Sequence, residues 1–262
     1  MLASSSRVRR WRDLGSKAWS YGIGLLEHPV RAPATLIAVA RGAHLGEMLK
    51  LRNQSGWLRQ SDIRTVIDVG AHSGQFASSL RQFLPAAQIY AFEPIIECHD
   101  KLTRRFSDDP FFKAFRVALG ASDGNVPFYA SSFPKASSPL VMSALHKRAF
   151  PWSADTFESI VPLRRLDGYR ARLRLTPNVL LKIDVQGYEY EVLLGATGIL
   201  EEISYVLVEL SFSELYEGQS DFHNVYRFLA DRGFAYAGSW DQLTSPLDHA
   251  ILQADSLFVR AT

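Results

Sequence analysis

The chain has 262 residues, of which 47% are hydrophobic and 21% are charged, a composition typical of a globular protein with one substantial core. Its only cysteine is Cys98, which excludes an internal disulfide and a cysteine-rich zinc site. The net charge of +2 is uneven, because residues 1–60 hold ten Lys or Arg against three Asp or Glu.

Residues 1–60 are predicted to form a basic, helical extension whose first part also contains tryptophans. Such a segment is compatible with contact to an anionic membrane surface; a solvated or loosely docked tail is the alternative. No apolar run approaches the roughly 20 residues of a membrane span, and no signal-peptide core follows the basic residues, so a cytoplasmic protein is expected. Because the rest of the chain is acidic, nucleic-acid binding is not expected.

A strand, a glycine turn, a helix and a second strand follow one another from residue 65. Thr65–Val69 is rich in β-branched and apolar residues, as a buried parallel strand should be. Gly70 and Gly74 bracket the next turn, where glycine permits positive φ and close approach of a ligand. The second strand, residues 89–92, ends at Glu93. Ligands of such sheets bind at the carboxyl ends of the strands.

The acids beside this turn indicate which ligand binds. Glu93 can accept hydrogen bonds from both hydroxyls of a ribose. Asp68 would repel a pyrophosphate but suits the sulfonium and α-amino groups of S-adenosylmethionine (SAM). The turn from Gly70 to Gly74 also lacks the third glycine of the dinucleotide fingerprint. The sequence therefore favours SAM over NAD, and a βαβ unit without a ligand is the remaining interpretation.

The rest of the chain predicts one α/β domain over residues 61–262. The fold is expected to be Rossmann-like, with a mostly parallel twisted sheet, helices on both faces and a terminal antiparallel strand. A segment at about 130–160, rich in Ser, Pro and aromatic residues, is too long for an ordinary connection and is predicted to be an irregular lid. Further helices are predicted over 95–106 and 222–232, and further strands over 111–118, 126–129, 160–166, 179–184, 205–210, 234–237 and 257–259.

Catalytic candidates follow from the strand that ends at Asp184. Lys182 and Asp184 share one face of this strand, beside the expected cofactor pocket. Asp184 is predicted to lie nearest the acceptor, as base or as substrate anchor. A carboxylate is a weak base unless its pKa is raised, so His146 in the lid is the second candidate for the base. A purely structural or solvated His146 is the alternative.

Two more acids are predicted to border the same cleft and to contact the substrate. Glu189 falls in the first turn of the helix after Asp184, where a helix N-terminal charge is the alternative role. Glu209 falls near the end of the next strand. Together with Asp184 they could hold a divalent cation through oxygen ligands, although no metal is expected.

Five blocks of the chain resemble the FkbM family of SAM-dependent methyltransferases, in the family's order and spacing. The specific block is KIDVQGYE at 182–189, followed by VLLGA, whereas the first two blocks occur in many class I methyltransferases. Two positions depart from the family's usual residues, with His72 in place of Asn and Gln186 in place of Glu. The blocks are residues 66–76, 91–94, 117–129, 180–196 and 206–212.

The resemblance implies methyl transfer from SAM to a hydroxyl of a sugar or glycan, a glycolipid or a natural product. It implies adenine contacts from Ala118 and Leu119, and a cofactor contact from His72. It also places a serine pair, Ser137 and Ser138, near substrate or cofactor. N-methylation stays open. The alternatives are an NAD-dependent oxidoreductase on the same fold and a non-catalytic Rossmann-like binding module.

Overall fold

The computed structural model describes residue 51 and residues 53–261. The predicted extension over residues 1–60 therefore lies mostly outside the described residues, and its contact with a membrane stays a prediction. The described chain enters the domain through a short helix, α1 (Ser55–Gln60). Among the helices described, none is long and apolar enough to cross a bilayer.

Ten strands in the described chain form two sheets. They are β1 (Thr65–Val69), β2 (Gln88–Phe92), β3 (Phe112–Phe115), β4 (Ala118–Leu119), β5 (Gly124–Ser131), β6 (Thr156–Arg164), β7 (Val179–Ile183), β8 (Ile203–Ser211), β9 (Phe234–Thr244) and β10 (Ile251–Arg260). The main sheet has the order β3-β2-β1-β7-β8-β10-β9, and a smaller sheet has the order β4-β6-β5. In the main sheet of the described chain, β10 runs antiparallel to both of its neighbours, and the other six strands run in one common direction. The predicted, mostly parallel α/β sheet with a terminal antiparallel strand is thereby confirmed.

Helices cover both faces of the main sheet, so its central strands are buried on both sides. Along β1, Val66 packs with α1 and with α2 (Gln75–Leu80), while Ile67 faces the opposite layer. That layer holds α5 (Glu189–Leu194) and α6 (Phe222–Ala230). Two further helices of the described chain are α3 (Ile96–Arg105) and α4 (Ala144–Ala149). Every residue of β1 and β7 is buried, which explains why both strands are mostly apolar and lack a two-residue alternation.

The register of the central strands places their carboxyl ends side by side. Val69, the last residue of β1, lies opposite Phe92 of β2 and Ile183 of β7. The next residue of each strand therefore leaves the sheet at the same edge. Those residues are Gly70, Glu93 and Asp184.

The predicted strand over residues 111–118 is wrong, because the chain bends in its middle. Phe112–Phe115 pairs with β2 in the main sheet, whereas Ala118–Leu119 pairs with β6 in the small sheet. Between them the Val117 amide donates to the Phe115 carbonyl at 3.2 Å, which closes a three-residue turn that redirects the chain. Periodicity alone cannot show such a change of sheet.

The segment predicted to be irregular at about 130–160 contains regular structure. Its core is α4, preceded by the 3₁₀ turn Pro134–Ala136 and followed by the 3₁₀ turn Pro151–Ser153. The Ser143 hydroxyl accepts from the His146 amide and so caps α4. The same hydroxyl donates to the Glu214 carbonyl at 2.7 Å, which fastens α4 to the loop after β8.

Candidate active site

A cavity of about 630 Å³ opens at the carboxyl edge of the main sheet. Its lining combines the ends of β1, β2, β7 and β8 with the 130–160 segment and with β9 and β10. Most of the residues predicted to form the site therefore share one space. The predicted residues that line it are Gly70, His72, Glu93, Ala118, Leu119, Ser137, His146, Lys182, Asp184 and Glu209.

Gly70 allows β1 and β7 to approach each other where both strands end. Its φ is +77°, and a Cβ atom built there would lie 1.9 Å from the carbonyl oxygen of Asp184. Gly74, whose φ is +81°, lies outside the lining and faces the side chains of Leu102 and Phe106. Gly70 thus shapes the cavity, whereas Gly74 allows the turn to pack closely against α3.

Glu93 holds the glycine turn and the start of the chain after β2. One carboxylate oxygen accepts from the His72 amide at 2.8 Å, and the other accepts from the Ile95 amide at 2.8 Å. The side chain is buried, and burial raises its pKa to about 7 against the opposing effect of these backbone donors. Each oxygen retains a second lone pair, so the carboxylate fits the hydroxyls of a ribose.

His72 contributes a buried nitrogen to the same end of the cavity. Its Nδ1 lies 3.0 Å from the Gln75 amide oxygen and 3.1 Å from the Ser73 hydroxyl. Its Nε2 is buried without a hydrogen-bond partner among the described residues. Burial also lowers the pKa of this imidazole, which keeps it neutral. A buried polar atom of this kind requires a partner, and a bound cofactor would supply one.

Lys182 connects two carboxylates beneath the cavity. Its Nζ lies 3.3 Å from Asp68 Oδ1 and 3.4 Å from Asp184 Oδ2, and it donates to the Gly70 carbonyl at 3.3 Å. Asp68 is fully buried and lies outside the cavity lining given by the described residues. The structure therefore places Asp68 behind Lys182, whereas the sequence predicts that it contacts the cofactor directly.

Asp184 is an ionised carboxylate at the centre of the sheet edge. Burial would raise its pKa, but the Lys182 ammonium and the Gln186 amide hold that pKa below its ordinary value. The Gln186 amide donates to Asp184 at 2.8 Å and to Glu209 at 3.1 Å. Gln186 thus lies between two carboxylates, and its only signal in the sequence was its departure from the residue usual in the resembled family.

Glu209 extends the polar lining towards β10. Burial raises its pKa well above the ordinary value, and the nearby charges of Asp184 and Glu189 act in the same direction. The Gln253 amide donates to its carboxylate at 2.8 Å. Gln253 was not predicted, because it lies 44 residues away in sequence and reaches Glu209 only through the pairing of β8 with β10.

Glu189 supports the turn after β7 from behind. One carboxylate oxygen accepts from the Val185 amide at 3.0 Å and from the Gly187 amide at 3.2 Å. The side chain is buried and does not belong to the described lining of the cavity, and burial raises its pKa to about 7. The structure thus gives Glu189 a backbone-binding position.

The two serines of the 130–160 segment occupy different positions. Ser137 lines the cavity, and its hydroxyl accepts from the Ser131 amide at 3.0 Å. Ser138 lies behind the described lining, and its hydroxyl donates to the Gln186 carbonyl at 2.7 Å. Ser138 therefore joins this segment to the turn that carries Gln186.

These features define the class of the protein. A class I SAM-dependent methyltransferase has a mostly parallel sheet in this strand order, with a last strand antiparallel to its neighbours. It also has a glycine turn after β1 and an acid after β2, as this chain does. Residues 68–236 match the profile described as Methyltransferase FkbM domain, and the chain belongs to this family. The cofactor is SAM. The match supports neither an oxidoreductase nor a non-catalytic module.

Several characterised proteins are similar to the chain. The 2-O-methyltransferase NoeI of Sinorhizobium fredii is 27% identical over 177 residues, which cover 65% of this chain and 73% of NoeI. The hexuronic acid methyltransferase AglP of Haloferax volcanii is 30% identical over 144 residues, 55% of this chain and 54% of AglP. The SAM-bound magnesium protoporphyrin IX methyltransferase of Synechocystis superposes with a TM-score of 0.44 at 11% identity, covering 83% of this chain and 81% of that one.

Proposed function

We propose that the protein transfers the methyl group of SAM to a hydroxyl oxygen of a sugar, either in a glycan or in a glycolipid. The observation that carries this proposal is the continuous cavity along the sheet edge. In strand order it runs from Glu93 past Gly70 and Asp184 to Glu209, so one space joins a nucleoside end to a second, polar end. The names of NoeI and AglP, a 2-O-methyltransferase and a hexuronic acid methyltransferase, support a sugar hydroxyl as the acceptor.

The nucleoside end provides the groups that would hold SAM. Glu93 would accept hydrogen bonds from the ribose hydroxyls, and His72 would offer its buried Nε2. The buried side chains of Ala118 and Leu119 would contact the adenine. SAM supplies an electrophilic methyl group, so the protein has to position an acceptor oxygen in line and receive its proton.

The second end has the mixed character that a sugar requires. Trp240 of β9 lies on this side of the sheet, and Trp152 of the 130–160 segment lines the same cavity; both would offer apolar surfaces for the C–H faces of a ring. Glu209 and Gln253 provide acceptors and donors for its hydroxyls. Such a surface suits a hydroxylated, partly apolar molecule better than a purely hydrophobic one.

Asp184 orients the acceptor hydroxyl between these two ends. Its ionised carboxylate is held by Lys182 on one oxygen and by Gln186 on the other. An ionised carboxylate fixed in this way accepts a hydrogen bond well. It is a weak base, however, because its pKa is low. Lys182 contributes by holding the Asp184 carboxylate ionised and in position.

The test is a methyl-transfer assay with purified protein, SAM and a panel of methyl glycosides. The panel contains neutral hexoses, deoxyhexoses, hexuronic acids and amino sugars, and NMR locates the methyl group in each product. We expect transfer to a hydroxyl oxygen of at least one sugar. Transfer to nitrogen only, or SAM binding without transfer to any sugar, would overturn the proposal. Thermal stabilisation by SAM or S-adenosylhomocysteine, increasing with concentration, shows binding independently of the acceptor.

A further inference from the structure

His146 lines the cavity and has a buried nitrogen without a hydrogen-bond partner among the described residues. The residue lies on α4, is only 5% exposed and belongs to the cavity lining. Its Nε2 lies 3.0 Å from the Ser153 hydroxyl. Its Nδ1 is buried and has no hydrogen-bond partner within the described part of the chain. A buried imidazole nitrogen without a protein partner calls for one, and a donor group on a bound acceptor would supply it.

Ser153 determines which nitrogen of His146 carries the proton. The Ser153 hydroxyl donates to the Phe150 carbonyl at 2.8 Å, an acceptor that has no proton to offer in return. The single hydroxyl proton is thus used, and the Ser153 oxygen accepts from Nε2–H of His146. The tautomer with its proton on Nε2 leaves a lone pair on Nδ1, the open nitrogen.

The surroundings of His146 keep the ring neutral. Two aromatic rings pack edge-on against it, Phe150 at 5.5 Å and Tyr216 at 5.1 Å between centroids. The titratable groups that face it are Lys147 on its own helix and Tyr216 in the loop after β8. Burial and then the Lys147 charge lower the pKa of the imidazole. Nδ1 is therefore unprotonated at neutral pH.

A chain of contacts connects His146 to the centre of the site. The Tyr216 ring packs on His146, and its hydroxyl lies 3.0 Å from the amide oxygen of Gln186. The amide nitrogen of Gln186 in turn binds Asp184. The position of α4 is thus coupled to that of the carboxylate that orients the acceptor.

We propose that Nδ1 of His146 is the base that takes the proton of the acceptor hydroxyl, and that Ser153 is the positioning residue that selects the required tautomer. This inference rests on the proposed transfer to a hydroxyl. The acceptor oxygen forms its bond to the methyl carbon while the bond from that carbon to sulfur breaks, and the bonding pair stays on sulfur. The hydroxyl proton passes to Nδ1, and the imidazolium later releases it to solvent.

The neighbouring groups are less suited to this proton transfer. Lys182 is an ammonium between Asp68 and Asp184 and has no lone pair to offer. Asp184 has a lowered pKa, which makes it a weak base, and Glu209 already accepts hydrogen bonds from the Gln186 and Gln253 amides. Compared with these charged groups, the neutral imidazole of His146 is better suited to act as a base at neutral pH.

The tautomer can be measured without substrate. Long-range ¹H–¹⁵N spectra of full-length protein labelled with ¹⁵N-histidine distinguish the two neutral forms, and the His146→Gln spectrum assigns the signal. We expect the Nε2–H form in the wild type and a mixture of both forms in Ser153→Ala. An Nδ1–H form in the wild type would overturn the inference, and so would a Ser153→Ala spectrum identical to that of the wild type.

Kinetics test the base with whichever methyl glycoside the panel identifies. His146→Gln keeps a donor for Ser153 but removes the base, so kcat should fall by roughly 10² to 10⁴ while SAM affinity stays unchanged. His99→Gln, the same change on α3 outside the described cavity lining, should leave kcat unchanged. Added imidazole should partly restore His146→Ala, and Ser153→Ala should shift the acidic limb of the pH–rate profile. An active wild type with an equally active His146→Gln variant overturns this inference alone, whereas a wild type that binds SAM and methylates no sugar overturns the proposed function.

Discussion

The Nζ atom of Lys182 lies 3.4 Å from the carboxylate of Asp184, two residues further along the same strand direction. The same ammonium lies 3.3 Å from Asp68, which pairs with Lys182 across the β1–β7 ladder. One ammonium thus lies between two carboxylates where β1 and β7 end, which leaves the cluster one net negative charge. The ammonium reduces the repulsion between the two carboxylates, and the negative charge that remains suits a cationic cofactor.

Replacing Lys182 should destabilise the whole domain. In Lys182→Met, the fully buried Asp68 loses its counter-ion, and breaking a buried pair from one side costs about 3–5 kcal/mol. Urea unfolding followed by circular dichroism measures the loss. Lys101→Met, at an exposed position on α3, should change the free energy of unfolding by less than about 0.5 kcal/mol. Equal stabilities of the two variants would contradict the bridging role.

Removing the carboxylate of Asp184 should separate turnover from cofactor binding. We expect Asp184→Ala to lower kcat by about 10²-fold or more, because the acceptor hydroxyl loses the group that orients it. SAM affinity, measured by calorimetry, should change by only a few-fold, since Glu93 and His72 stay in place. Asp108→Ala, an exposed position after α3, is the matched control. Retained turnover in Asp184→Ala would remove this residue from the catalytic machinery.

A methyl group at Gly70 should disrupt the meeting point of β1 and β7. In Gly70→Ala the new atom would collide with the Asp184 carbonyl, in addition to the strain of a φ of +77°. Gly218→Ala carries similar strain, at a φ of +74°, but has open space around the new atom. We expect Gly218→Ala to cost about 1 kcal/mol and Gly70→Ala clearly more, with loss of SAM binding. Unfolding titrations on both variants isolate the effect of the collision.

Glu93 should make stability fall as the pH rises. Its folded pKa of about 7 lies above its ordinary value of 4.5, so the folded state retains a proton that the unfolded state has already lost. The stabilisation is complete below about pH 4.5 and is lost as the pH rises through 7, a change of about 3 kcal/mol.

The comparison of wild type with Glu93→Gln tests this dependence. The variant cannot ionise, so its stability relative to the wild type should improve between pH 5 and pH 8. Absolute stability of the variant should be lower at pH 5, because an amide nitrogen replaces an oxygen that accepts from a backbone donor. Unfolding free energies at several pH values provide the comparison. Parallel curves for the two proteins would show that Glu93 does not titrate in this range.

Local sequence pattern determined much of the fold. The two-residue period of a strand places Lys182 and Asp184 on one face, whatever the rest of the chain does. The spacing of Gly70, Gly74 and Glu93 likewise reflects a local turn and the strand that follows it. These features were predictable because they depend on backbone geometry over a few residues.

Contacts between distant segments were decided by the tertiary structure. The sequence placed Asp68 against the cofactor, but the register of β1 with β7 turns it to Lys182. The amide of Gln253 reaches Glu209 across strand pairing that no local pattern reports. Ser153 selects the tautomer of His146 only because two short helical turns fold together. Hydrogen bonds need angles and distances set by packing, so sequence spacing alone could name these residues but not their partners.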